Sequence, residues 1–251
     1  MARASALLKA LGGDAARLGV TELAERVGLA KGTVHGLLRT LEDEGLVEQD
    51  AETGKYRLGM TLFQLGSRVL ENHPLRHRSV FWADALANRT RQSARVGVLL
   101  GDHVIVVHHV FRPDDTVQVL EVGASIPWHA CALGKAIAAH LPAAVREELL
   151  DGEHEKLTGS TLTGRQALAP VLAAIAADGL AMDDQEAIVG EGGLAAPVFD
   201  VAGRVAGGLG ITGPAERVTA QRSLHGAVRE CARGLSRDLG ARGASPPPRR
   251  S

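Results

Sequence analysis

The chain has 251 residues, of which 45% are hydrophobic and 23% charged, and its formal net charge is −1. These values suit a folded globular protein and exclude a low-complexity, fibrous or uniformly basic chain, so any contact with nucleic acid must come from a local patch. The length allows one large domain or two modest ones.

Two cysteines, Cys131 and Cys231, make neither a disulfide framework nor a CxxC metal site, and they suit a reducing compartment. The opening run MARASALLKALGG is too short for a signal peptide, and no later stretch reads as a membrane span. The expectation is a cytoplasmic protein with no membrane partner.

Residues 1–58 predict three short helices and a hairpin. SALLKAL is stopped by Gly12-Gly13. TELAERVG has Thr21 placed to cap and Leu23, Ala24 and Val27 on one face. The third helix lies within GLAKGTVHGLLRTLEDEG, and VEQD and KYRLG flank a turn as two short strands. Residues 59–73 predict a connector helix with Leu62, Leu65 and Val69 on one stripe and Phe63 and Leu70 on another. Two stripes suit packing against both its own domain and a partner chain, or burial within one domain. Pro74 breaks the chain, and residues 74–240 form the second domain.

That domain opens with a helix over about 75–90. SARVGVLL, HVIVVHHVF and TVQVLEVG follow as strands, with GDH as a tight turn between the first two. CALGKAIAAHL and LTGRQALAPVLAAIAADG predict helices, the second ending at Asp178-Gly179. LAMDDQE, LAAPVFD and VAGGLGIT return to strand character, with Gly203 in the last turn, and ERVTAQRSLHGAVRECARGLSRDLG predicts one long closing helix. The fold class expected is α+β, with helices around an antiparallel sheet. Residues 241–251, Pro-rich, predict a disordered tail.

TELAERVG followed by the third helix has the form of a helix–turn–helix, with Gly28 at the turn. Val34, Leu37, Leu38 and Leu41 recur at helical spacing and face inward. Left outward near the helix start are Lys31, Gly32, Thr33, His35, Gly36 and Arg39, the small, hydrogen-bonding and cationic residues that a helix pressed on phosphates and base edges needs. Gly32 and Gly36 each cost about 1 kcal/mol of helix propensity against Ala, which close approach to another surface would offset.

Residues 1–60 carry eight Lys/Arg against nine Asp/Glu. The acids Glu42, Asp43 and Glu44 gather at the far end of the helix, however, and Lys55 and Arg57 sit on the second hairpin strand, where a wing touches flanking phosphate. A plain surface helix, or a dimer surface in a DNA-free interaction module, remains the alternative. Steep loss of DNA affinity with salt separates them.

LAKGTVHGLLRTLEDEGLV with KYRLG resembles the winged helix of IclR-type transcriptional regulators. The resemblance continues through GMTLFQLG, PWHACALGKAIAAHLP, GLAMDDQEAIVGEGGLAAPVFD and GITGP, in order along nearly the whole chain. AKGT-HG-LRTL, VEQD and VHHVFRPDD are most similar to the regulators of glycerol operons. The resemblance implies an N-terminal winged helix–turn–helix, a linker helix and a C-terminal effector domain of GAF/profilin-like type. It also implies a homodimer or tetramer on palindromic double-stranded operator DNA, acting as a repressor or, alternatively, as a ligand-dependent activator.

By position it implies base contacts from Thr33, His35 and Arg39 beside Gly36, with Lys31, Lys55 and Arg57 on phosphates. An effector pocket would use the Ala132 and Leu133 N–H groups, the Asp183 carboxylate and the Thr212 hydroxyl, with Gly193 and Gly210 where some members have Cys and Ser. Glycerol or glycerol 3-phosphate is the ligand implied; no cofactor is. Relatives usually begin with a longer run before ALLKAL, which implies an upstream start or a trimmed first helix.

Two rival chemistries are weaker. His108 and His109 point to opposite faces of a strand, and His103 and His109 are roughly 20 Å apart if extended, so no metal site is expected. Cys131 near His129 at a helix start could form a nucleophile, but no orienting third group is identifiable, so no catalytic residue is expected.

Overall fold

A computed structural model describes residues 1–13, 17–114 and 118–241. The chain divides into two compact units, Met1–Asn72 and His73–Ser251. The expected tail lies outside the described residues except for Ala241.

The first unit contains α1 (Ala2–Leu11), α2 (Val20–Val27), α3 (Lys31–Asp43), β1 (Val47–Gln49), β2 (Tyr56–Leu58) and α4 (Met60–Glu71). Its core joins Leu7, Leu11, Leu23, Val34, Leu38, Leu41, Val47 and Tyr56. The helical spacing of Val34, Leu38 and Leu41 is what turns one stripe of α3 onto α1 and α2. Truncating the fully buried Leu38 to Ala would cost about 3 kcal/mol.

Thr21 is not the cap of α2. The helix starts at Val20 with Gly19 before it, and the Gly19 N–H donates to Glu22 Oε2 at 2.6 Å, so a side chain three residues on does the capping. Gly28 closes α2 in the left-handed region (φ 64°, ψ 37°), a conformation that suits a residue without Cβ and redirects the chain into α3. β1 and β2 pair antiparallel, and Leu18 joins Tyr56 of β2 in an isolated antiparallel bridge through two hydrogen bonds of 3.0 and 2.8 Å. No residue of α4 is buried, and Met60, Phe63, Leu65 and Val69 are exposed, so burial of this helix within one domain is not what the chain adopts.

The second unit is built on a six-stranded antiparallel sheet in the order β5-β4-β3-β8-β7-β6. Its strands are β3 (Ser93–Leu100), β4 (His103–Val110), β5 (Ser125–Pro127), β6 (Ala181–Asp184), β7 (Glu191–Phe199) and β8 (Val205–Pro214). One face carries α5 (Pro74–Thr90) and α10 (Ser223–Asp238); the other carries α6 (Ala132–Ala138), behind which lies α8 (Arg165–Asp178). Pro74 starts α5 rather than merely ending what precedes it, since its missing N–H is lost at no cost in the first turn.

Within the second unit three expectations differ from the structure. In TVQVLEVG, Thr116 and Val117 lie outside the described residues, and 118–123 is not a strand; Ser125–Pro127 pairs with β4 instead. The closing helix is two, α9 (Ala215–Val218) and α10, and Thr219 turns its hydroxyl onto the Ala215 carbonyl where α9 ends. A helix not anticipated, α7 (Ala143–Asp151), follows Pro142 and buries Leu149 and Leu150.

Candidate nucleic-acid interface and effector cavity

The outward face of α3 carries the residues that its spacing assigned there. Lys31, Gly32, Thr33, His35, Gly36 and Arg39 are all exposed, while Val34 and Leu38 between them are fully buried. A Cβ added at Gly32 or Gly36 would meet nothing within 4 Å, so nothing within the described protein demands a glycine at either place. Among the described residues no hydrogen bond or ion pair holds the side chains of Lys31, Thr33, His35 or Arg39.

The wing differs. Arg57 donates to Glu48 Oε2 from Nε and Nη2 at 3.0 and 2.8 Å, and Lys55 Nζ lies 3.6 Å from Glu22. Both wing cations therefore carry an exposed carboxylate partner, a weak tie that a phosphate can replace. The wing turn is held by Asp50, whose Oδ1 accepts from the N–H groups of Glu52 and Thr53 and from the Thr53 hydroxyl.

In the second unit, strand register sets two neighbouring rows across one sheet face. One row runs Asp183, Gly193, Thr212, Ser93; the next runs Ala195, Gly210, Arg95, His109. Asp183, Gly193, Gly210 and Thr212 thus share a face, and Leu133 of α6 lies over its Gly208 end. The Ala132 N–H donates to Asp183 Oδ2 at 2.9 Å, so the helix start and the carboxylate satisfy each other. Gly193 makes that possible: a Cβ there would stand 2.3 Å from Asp183 Oδ2. At Gly210 a Cβ would stand 2.4 Å from the Leu194 carbonyl oxygen, so close strand packing excludes a side chain. Burial pushes the Asp183 carboxyl up to about 6, against the Ala132 hydrogen bond, which lowers it.

Where α6 no longer covers this face, a cavity of about 360 Å³ opens. Of the six residues carried over from the family, only Thr212 lines it. Its polar floor comes from residues that the spacing did not single out as a site. Arg95 reaches Glu121 Oε1 at 2.6 Å and Glu191 Oε1 at 2.9 Å, and the Thr212 hydroxyl donates to the same Glu191 oxygen. Gln118 accepts from the Ser93 hydroxyl (2.9 Å) and the Arg112 N–H (2.7 Å). The Glu121 N–H donates to His109 Nδ1 at 3.2 Å, and His109 is 8% exposed with its pKa pushed down to about 4, first by burial and then by Arg95. The signal available in the sequence was alternation: in SARVGVLL, Ser93 and Arg95 share the face opposite Ala94 and Val96.

Burial pushes the Cys131 thiol up to about 12, its Sγ accepts the Gly134 N–H at 3.4 Å, and His129 spends Nε2 on the Glu155 carbonyl oxygen at 2.9 Å. Among the described residues no three His, Cys, Asp or Glu side chains are placed to hold a metal ion, and no helix is long and apolar enough to cross a membrane.

A winged helix with an open recognition face, joined to a sheet domain with a polar cavity, defines a ligand-responsive DNA-binding transcriptional regulator. The IclR helix-turn-helix domain matches residues 1–51 and the bacterial transcriptional regulator IclR C-terminal domain matches 67–237; the chain belongs to the IclR family. It is 47% identical over 243 residues to the glycerol operon regulatory protein of Streptomyces griseus, covering 95% of each chain. In fold it is similar to a putative IclR regulator from Silicibacter (TM-score 0.84, 24% identity, 98% and 97% of the two chains). It is also similar to an IclR homolog from Microbacterium hydrocarbonoxydans solved with 4-hydroxybenzoate (TM-score 0.76, 25% identity, 95% and 98%).

Proposed function

We propose that this regulator represses a glycerol-type catabolic operon, binding a palindromic operator as a homodimer or tetramer in the cytoplasm and releasing it when a small metabolite is bound. The single observation that carries this reading is the 47% identity to a glycerol operon regulator along 95% of both chains. The open face of α3 supplies the means: Thr33, His35 and Arg39 meet base edges, while Lys31, Lys55 and Arg57 lie on phosphates. Glycerol or glycerol 3-phosphate is the effector, and the charged and hydroxyl-bearing cavity suits it better than an aromatic acid of the kind held by the Microbacterium homolog. The protein works by binding rather than catalysis, in keeping with the protonated, buried thiol of Cys131.

Ligand acts by preferring one of two arrangements of the DNA-binding heads, which requires different affinities for the two. Gel shifts of the chain's own upstream DNA at several salt concentrations, with reporter assays in a deletion strain, test the reading. Derepression on deletion and steep salt dependence are expected; loss of expression on deletion would make it an activator.

A further inference from the structure

A second cavity in the sheet domain, of about 630 Å³, shares no lining residue with the first. Its polar lining comes from Asp102 and His103 where β4 begins, from His129 beyond β5, and from Glu153, His154 and Glu155 beyond α7. His103 and His109 stand near opposite ends of β4, about 20 Å apart along an extended strand, so the two cavities are distinct sites.

All three imidazoles have already spent their N–H groups. His103 Nδ1 donates to Asp102 at 2.8 Å, His129 Nε2 to the Glu155 carbonyl at 2.9 Å and His154 Nε2 to the Leu149 carbonyl at 3.0 Å. Carboxylate and carbonyl oxygens only accept, so in each neutral ring the other nitrogen keeps a lone pair. His129 is 3% exposed, and its Nδ1 has no partner among the described residues; unlike the sealed Nε2 of His109, it retains accessible surface. Burial holds the His129 and His154 pKa values below the ordinary histidine range, so both rings are uncharged at neutral pH.

The carboxylates of Asp102, Glu153 and Glu155 add negative charge, and no Lys or Arg lines the cavity. Its side chains therefore offer acceptors, the indole N–H of Trp128 being the one donor, on a residue that is 1% exposed. An anion would meet like charge. A metal ion needs several ligands converging on one point, and no three of these side chains do so. An alkylammonium group instead carries positive charge and three N–H donors that can reach separate acceptors.

We propose that this cavity is a second ligand site, for a small diamine or polyamine, with one ammonium group donating to His129 Nδ1 and another paired with Glu153 and Glu155. The site stands whether or not the first cavity takes the effector, because the two share no residue.

Calorimetric titration of the full chain with 1,4-diaminobutane tests it, beside separate titrations with 1-aminobutane and with zinc chloride. Salt at about 0.15 M screens loose attraction between exposed charges. The diamine should bind saturably, one per chain, and the monoamine about fivefold more weakly. The double variant Glu153→Gln/Glu155→Gln, at exposed positions, should lose about fivefold or more in diamine affinity with its melting temperature retained. His129→Phe should do the same if it folds, and the double variant decides the matter if it does not. No diamine binding, equal affinity in the double variant, or binding of zinc without the diamine would overturn the proposal.

Discussion

A glycine in the middle of a recognition helix is a cost that the free protein has no reason to bear. Gly36 is exposed and nothing lies within 4 Å of the Cβ it lacks. Gly36→Ala should therefore stabilise the DNA-free protein by up to about 1 kcal/mol in urea denaturation. It should also weaken operator binding in a gel shift; unchanged binding would mean that the glycine does not mark a close approach. The wing gives a change of opposite sense. Glu48 holds Arg57, so Glu48→Gln should free that cation and tighten DNA binding a few-fold at low salt, with the gain shrinking as salt rises. At this scale the sequence was informative where helical periodicity sorts inside from outside, as at Val34 against His35. At Arg95 and His109 strand alternation sorts the faces but does not assign a role, because that depends on which strands lie beside β3 and β4, which no local pattern encodes.

Between elements, the pairing of α5 with α10 includes one close fit beside the ion pair of Arg89 with Glu230. The Trp82 ring lies where a Gly234 Cβ would be, with ring carbons 2.2–2.5 Å from that point, and Trp82 Nε1 donates to Asp238 Oδ2 at 2.6 Å. Gly234→Ala should displace the indole and cost about 1–3 kcal/mol, read from the urea midpoint; a neutral result would show that α10 shifts freely over the sheet. Most elements were legible because their apolar period and end signals agreed, as in α8 with Gly179 closing it in the left-handed region. TVQVLEVG misled for a physical reason. Its alternation is strand-like, but Gln118 and Glu121 spend their polar groups on Ser93, Arg95 and His109 around the cavity instead of on a ladder. The closing segment misled because helical period survives across 219–222, where the chain itself turns.

The whole molecule has a pH dependence whose sign can be worked out from its buried groups. His108, His109, His129, His140, His154 and His225 all have lowered pKa values, each chiefly through burial. A depressed folded-state value gives stability that is complete above the unfolded pKa and lost as pH falls toward the folded one. For His109, with 6.5 falling to about 4, the loss between pH 7.5 and pH 5 is about 2 kcal/mol. Asp183 opposes it: raised from 3.8 to about 6, it is relieved by protonation and returns about 1 kcal/mol over the same interval. Glu121 and Glu186 act in the same direction as Asp183, and both have an arginine or lysine partner that limits their shift. Five further histidines against two further acids leave the balance on the destabilising side. The urea midpoint, followed by circular dichroism, should accordingly be lower at pH 5 than at pH 7.5. His109→Phe should make that fall shallower and Asp183→Asn should make it deeper. A midpoint that rises on acidification, or a fall that the two variants change in the same direction, would show that other groups control the stability of the effector domain.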